Sequence, residues 1–129
     1  MERFGITEAT GGWPGGPVYH DLPIISLMTS HDDIVYLCGI TADPGSGDVK
    51  EQTRQVLERI DRLLGRAGTS KSRLISATVW LTDMAHFADH NAAWNAWVDA
   101  KNPPVRACLH SPQLWHPGLL VEIMVTAAK

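Results

Sequence analysis

The spacing of apolar residues along this 129-residue chain switches between helical and strand periods, and the order of the switches limits what the chain can fold into. Helical spacing runs from Asp48 to about Arg66, where Gly68 supplies a stop signal, and again from about Met84 to Ala100. Strand patterns occupy residues 25–30, 34–41, 74–81, about 105–111 and 119–128. The predicted order is therefore β-β-α-β-α-β-β.

This order favours an α+β domain in which both helices lie on one face of a mixed sheet, because connections are short and β-α-β crossovers are right-handed. The residues predicted to face inward are Ile75, Ala77, Val79, Leu81, Phe87, Asn91, Trp94, Trp97 or Val98, Val121, Ile123 and Val125. The charged residues predicted to lie mostly in solvent are Glu51, Arg54, Glu58, Arg59 and Arg62.

The opposite face of the sheet is predicted to be bare, yet it carries Trp80, Leu120 and Met124. An apolar open face on a small domain usually marks a partner surface. Self-association is the simplest expectation.

The first 24 residues follow neither period. Residues 10–17 are mostly Gly and Pro, the two strongest breakers of regular structure, which indicates a loop. We therefore divide the chain into an irregular leader, residues 1–24, and a single folded domain, residues 25–129.

Charge and composition exclude several classes of function. The net charge is −3 without a basic stripe, so nucleic acid is not an expected partner. No apolar run reaches the length of a membrane span, and the first residues lack the apolar core of a signal peptide. The chain has only two cysteines, Cys38 and Cys108, and they are far apart in sequence, so we expect free thiols in a reducing cytosol. We therefore expect a cytoplasmic protein without membrane association.

The segment 102-NPPVRACLHS-111 raises a question about function. Its alternation places Arg106, Cys108 and His110 on one face of a strand, and the apolar residues between them on the other. Either this is an edge strand whose polar face meets water, or the arginine and the thiol form the wall of a small binding site.

Five segments of the chain resemble the RidA/YjgF reactive-intermediate deaminases. They are 35-VYLCGITA-42, 52-QTRQVLERIDRLLGRAG-68, 74-LISATVWLTDMAHFADHNAAWNAWV-98, 103-PPVRAC-108 and 121-VEI-123. The resemblance implies a chorismate-mutase-like α+β protomer assembled as a homotrimer, with ligand clefts between subunits that are lined by the face the helices leave bare.

The resemblance also implies a chemistry, the hydrolysis of small carboxylate-bearing enamines and imines such as 2-aminoacrylate to 2-keto acids and ammonia. Arg106 would bind the substrate carboxylate in a bidentate manner. Glu122 would hold or activate the attacking water. The substrate pocket would be completed by Cys108, Asn91 and the backbone at Gly39 and Ile40. No metal or cofactor is expected, because an imine carbon is already electrophilic.

The leader departs from this family pattern. Family members commonly carry a Pro-Tyr-Ser-like stretch about fourteen residues before the glycine that Gly39 matches, and this chain has no tyrosine in that register. Tyr19 and Trp13 lie in the glycine-rich leader instead. Whether they reach the cleft decides which substrate fits.

Several residues have simpler interpretations. Arg106 and Glu122 would also suit surface ion pairs, and Cys108 is more typical of a pocket lining than of a nucleophile. His86 and His90 are four residues apart, a spacing that can bind zinc, but without an evident third ligand a solvated helix face is favoured. The sequence assigns no role to His110.

Two other functions remain open at the level of sequence. A non-catalytic trimeric binder of small carboxylates would use the same Arg106 and would not need Glu122. A ribonuclease is a third possibility, which the net charge of −3 disfavours.

Overall fold

The computed structural model describes residues 1–129 and contains a seven-stranded mixed sheet. The strands are β1 (Glu2–Ile6), β2 (Ser26–His31), β3 (Ile34–Leu37), β4 (Ile40–Thr41), β5 (Leu74–Leu81), β6 (Val105–His110) and β7 (Val121–Ala128). They run in the order β1-β2-β3-β7-β5-β6, and the short β4 also pairs with β7. Only the β5–β6 pair is parallel, because only these two neighbours are joined by a helical crossover.

The two helices, α1 (Val49–Arg66) and α2 (Phe87–Trp97), pack on the same face of the sheet, as predicted. The Asp48 side chain caps α1 by accepting a hydrogen bond from the Glu51 amide at 2.9 Å. Gly68 has a φ of +77°, which a glycine adopts without strain and which ends the helix. One core of 20 buried residues joins α1, Trp94 of α2 and the inner face of the sheet.

The second helix is shorter than predicted, and its inward face differs from the prediction at its first turn. A single 3₁₀ turn, Met84–His86, precedes it, and it ends at Trp97 rather than near Ala100. Phe87 was expected to face inward but is 42% exposed, whereas His90 is completely buried. The prediction of a solvated face for His90 is therefore wrong.

The strand β5 also departs from its predicted pattern at one end. A register shift between Leu74 and Ser76 in the pairing with β7 reverses the alternation there. Leu74 is buried as a result, and Ile75, predicted to face inward, is 42% exposed. Beyond the shift, Ala77, Val79 and Leu81 point into the core as expected.

The leader contains more regular structure than the sequence indicated. Glu2–Ile6 forms β1, which pairs antiparallel with β2, so residues 1–24 are not irregular throughout. Residues 7–25 then run beside residues 38–44, and an isolated bridge joins Gly11 to Tyr19. Together with β4, this edge strand extends the predicted order by two strands.

The second face of the sheet is uncovered and apolar in this protomer. Trp80 is half-buried there, and Met124 is 43% exposed. Three further apolar residues lie on this face and are each at least 45% exposed: Tyr36, Val105 and Leu109. Neither helix is both long and apolar enough to cross a membrane.

Candidate functional site

The guanidinium of Arg106 lies on the helix side of the sheet. Arg106 is paired in register with the buried Ala77 of β5, so both side chains lie on the face that the helices cover. Its Nη2 donates to Oδ1 of Asn91 at 2.7 Å, and its Nη1 lies 3.1 Å from Nε2 of His90. The indole of Trp94 lies beside it, with the ring centre 5.0 Å from Cζ.

All three partners of Arg106 are uncharged side chains of one helix. The protomer has four salt bridges, and none of them includes Arg106. Partial burial lowers the pKa of Arg106 without threatening its charge. A half-buried cation is normally paired with an anion, so this arrangement suits an anionic ligand.

His90 is the least exposed of these partners, and both of its ring nitrogens are engaged. Nδ1 lies 3.0 Å from Oγ1 of the equally buried Thr53 on α1. Burial, followed by the charge of Arg106, lowers the pKa of His90 to about 4. The imidazole is therefore neutral near pH 7.

Cys108 follows Arg106 on the same face of β6 and is half-buried. Burial raises the pKa of its thiol, although the charge of Arg106 acts in the opposite direction. His110 ends the strand, exposed and 3.3 Å from the carbonyl oxygen of Thr82. A protonated, uncharged thiol suits the lining of a pocket better than nucleophilic attack.

Glu122 lies on the opposite, open face of the sheet. It alternates with the fully buried Val121 and Ile123 of β7 and is paired with Trp80. Burial raises the pKa of its carboxyl group, and Glu122 takes part in none of the four salt bridges. Its carboxylate is therefore available to a ligand or to water.

Gly39 lies between β3 and β4, directly beside the carboxylate of Glu122. A Cβ atom at position 39 would lie 2.9 Å from Cδ of Glu122, closer than side chains normally approach. The absence of a side chain thus lets Glu122 lie against the backbone. The neighbouring Ile40 is 3% exposed with its side chain in the core, so only its backbone is available to a ligand.

The structure does not bring Arg106 and Glu122 together within one protomer. Arg106 lies on the helix face and Glu122 on the open face, with the sheet between them. Asn91 and Cys108 lie on the side of Arg106, whereas Gly39 and Ile40 lie near Glu122. The predicted site residues therefore form two separate groups.

Aromatic residues of the leader stand beside the second group. A cavity of about 130 Å³ lies between residues 38–44 and the leader, and Trp13, Tyr19 and Trp115 line it. The ring of Tyr19 meets that of Trp115 edge-on at 5.1 Å. Trp13 and Tyr19 thus line the same cavity as Gly39.

The floor of this cavity includes Arg59, which was predicted to be mostly solvated. Arg59 is instead 7% exposed, donates to Oδ1 of Asp43 at 2.7 Å and lies against the ring of Trp13. Its charge is compensated, so it lacks the unpaired character of Arg106. No group of three or more His, Cys, Asp or Glu side chains is placed to hold a metal ion.

Comparisons with known proteins identify the family. Residues 26–129 match the model of the family described as endoribonuclease L-PSP. A RutC family protein of Haemophilus ducreyi is 41% identical over 103 residues, which cover 80% of this chain and 87% of the relative. The chain belongs to the RidA/YjgF family.

Solved structures agree with this assignment. A member of the YjgF protein family from Neisseria meningitidis has a TM-score of 0.78 at 36% identity, covering 81% of this chain and 87% of that one. A protein of the conserved Rid family from Yersinia pestis has a TM-score of 0.75 at 29% identity, covering 85% and 91%. The family match begins at residue 26, so the cavity-lining leader lies outside it.

Sequence reasoning missed two residues of the Arg106 group in this RidA/YjgF family member, His90 and Thr53. One signal was available, because Gln52 and Thr53 are consecutive polar residues on the buried side of α1. A polar residue in such a place needs a buried partner. The sequence alone does not show which residue of α2 provides it.

Proposed function

We propose that this protein hydrolyses small, carboxylate-bearing enamines and imines to 2-keto acids and ammonia. The observation that carries the proposal is the half-buried guanidinium of Arg106, which only uncharged side chains contact. The family membership supports it.

The geometry of Arg106 suits a bidentate carboxylate. A guanidinium has five N–H donors, and one on each terminal nitrogen is directed at α2. Three remain, enough to hold both carboxylate oxygens and fix the tilt of the attached imine. Orientation lowers the barrier because water must approach the imine carbon at a suitable angle.

Glu122 is the proposed catalytic acid and base. Its carboxylate accepts a proton from water as the water oxygen bonds to the imine carbon, and the proton passes to the nitrogen. Collapse of the resulting carbinolamine forms the keto group and releases ammonia. A raised pKa favours both proton transfers, because it brings the carboxyl group closer to the working pH.

Both residues can serve one substrate only if two protomers meet. Arg106 and Glu122 lie on opposite faces of the sheet, so the site combines Arg106 of one protomer with Glu122 of its neighbour. The open apolar face supplies a surface for such packing. We therefore propose a homotrimer with a cleft at each interface, and a monomer in sedimentation equilibrium at micromolar concentration would exclude this mechanism.

Co-expression of two inactive variants tests the shared site directly. Arg106→Ala and Glu122→Gln protomers that assemble randomly in equal amounts should form functional sites at about a quarter of the interfaces. Ammonia release from freshly generated 2-aminoacrylate should recover to about that fraction of the wild-type rate. No recovery in verified mixed trimers would place both residues in the same protomer and contradict the proposal.

Two further measurements, pyruvate calorimetry and RNA cleavage, separate the two alternative functions from the hydrolase. A non-catalytic carboxylate binder retains pyruvate affinity in calorimetry but releases no ammonia above the uncatalysed rate. A ribonuclease cleaves RNA even when Arg106 is replaced by Ala.

A further inference from the structure

The completely buried His90 has no part in the hydrolysis outlined above. Its ring lies between α1 and β6, with Nδ1 against Thr53 and Nε2 against Arg106. An imidazole without exposed surface is costly unless both nitrogens find partners. Here each nitrogen has one, and the partner on one side is the proposed substrate-binding group.

The contact with Arg106 fixes the tautomer of the ring. A guanidinium only donates, so Nε2 must be the acceptor and the ring proton must lie on Nδ1. Nδ1–H then donates to Oγ1 of Thr53. The direction of every hydrogen bond from α1 to the guanidinium is thereby determined.

We propose that His90 is a positioning residue that holds the guanidinium of Arg106 in its binding orientation without neutralising its charge. The inference rests on the proposed function in one respect, that Arg106 binds the carboxylate of the substrate. Thr53 holds the imidazole, the imidazole holds Nη1, and Asn91 holds Nη2.

His90 holds Arg106 through an uncharged hydrogen-bond acceptor, which leaves the positive charge of Arg106 available to a ligand. A carboxylate at position 90 would also hold Arg106, but it would compensate the positive charge and compete with the substrate. A neutral imidazole accepts one hydrogen bond and leaves the charge available. Arg106 is therefore oriented before the ligand arrives, and less side-chain freedom is lost on binding.

Three variants separate positioning from structural support. In His90→Gln, the longer side chain brings an amide oxygen near the position of Nε2 and keeps the acceptor for Arg106. In His90→Asn, the amide reaches only the position of Nδ1, so the contact with Thr53 is kept and the one with Arg106 is lost. His86→Asn is the matched control, because His86 lies one turn earlier and does not contact Arg106.

The readouts are pyruvate binding by calorimetry, kcat/KM for imine hydrolysis, and the Nε–H signal of Arg106 in ¹H–¹⁵N NMR spectra. For His90→Asn we expect a two- to tenfold weaker affinity, about the cost of immobilising one long side chain, a similar or larger loss in kcat/KM, and a broadened Arg106 signal. His90→Gln and His86→Asn should stay within about twofold of wild type.

Two results would overturn the proposal. One is a folded His90→Asn variant with wild-type affinity and an unchanged Arg106 signal. The other is an equal loss in the Asn and Gln variants together with a lower melting temperature, which would mark His90 as a packing residue. If the wild-type protein neither binds pyruvate nor hydrolyses imines, the proposed function fails, and the Arg106 signal still decides whether His90 orients that side chain.

Discussion

Arg106 and Glu122 are held in contrasting ways on the two faces of the sheet. On the helix face, Asn91, His90 and Trp94 surround one guanidinium and restrict it. On the open face, Glu122 lies beside a glycine and outside every salt bridge of the protomer. A group that sets the orientation of a ligand benefits from restraint, whereas a group that moves a proton needs access to water.

Replacing the restrained cation should have the largest effect. Arg106→Ala is expected to abolish ammonia release and pyruvate binding while the trimer persists, because Arg106 contributes little to the core. Arg106→Lys should retain some affinity but lose at least about tenfold in turnover, or about 1.4 kcal/mol in the barrier. A lysine variant with the wild-type rate would show that charge alone suffices.

Glu122→Gln should affect turnover and binding differently. The amide keeps the shape of the side chain but cannot accept the proton of the attacking water, so kcat should fall about 10²–10⁴-fold. Pyruvate affinity, measured by calorimetry, should change little. Equal losses in both quantities would identify Glu122 as a ligand contact instead.

The helix face should also show its own dependence on pH. The pKa of His90 is 6.5 in an unfolded chain and about 4 in the folded protein, so the unfolded state binds more protons between these values. This contribution to stability is complete above pH 6.5 and decreases as the pH falls to about 4, by about 3 kcal/mol. The acid sensitivity of urea unfolding should therefore be smaller in His90→Gln than in wild type, and identical profiles would contradict the assignment.

The smallest expected effect concerns the close contact on the open face. In Gly39→Ala, the added methyl group displaces the Glu122 side chain from its rotamer, which should reduce kcat about two- to tenfold. Gly65→Ala is the control, because a Cβ atom there meets nothing within 4 Å. That variant should keep full activity with a slightly higher melting temperature, and a Gly39→Ala variant that matches it would show that the contact is unimportant.

The sequence predicted the fold class because hydrophobic period determines secondary structure over long segments. The alternation of β7 and the apolar stripe of α1 both appear as expected. The predicted facing directions are wrong at two places, where local structure departs from the regular period. A register shift exposes Ile75. At the start of α2, Phe87 is exposed and His90 is buried among the inward-facing residues.

The composition of the candidate site was predictable only through motifs, and its geometry was not predictable at all. The alternation of β6 places Arg106 on the opposite face from Val105 and Ala107. It does not indicate which of the two faces the helices cover. The structure assigns Arg106 to the helix face and Glu122 to the other. Arg59 was misjudged for a related reason, since its partner Asp43 lies in a loop 16 residues away.

The environments of the two cysteines have a consequence for their reactivity. Burial and the nearby Glu122 raise the pKa of Cys38 to about 11, and burial raises that of Cys108. Both sulfurs are therefore protonated at neutral pH, and it is the thiolate that attacks electrophiles. Neither thiol is therefore activated for attack on an electrophile that comes near it.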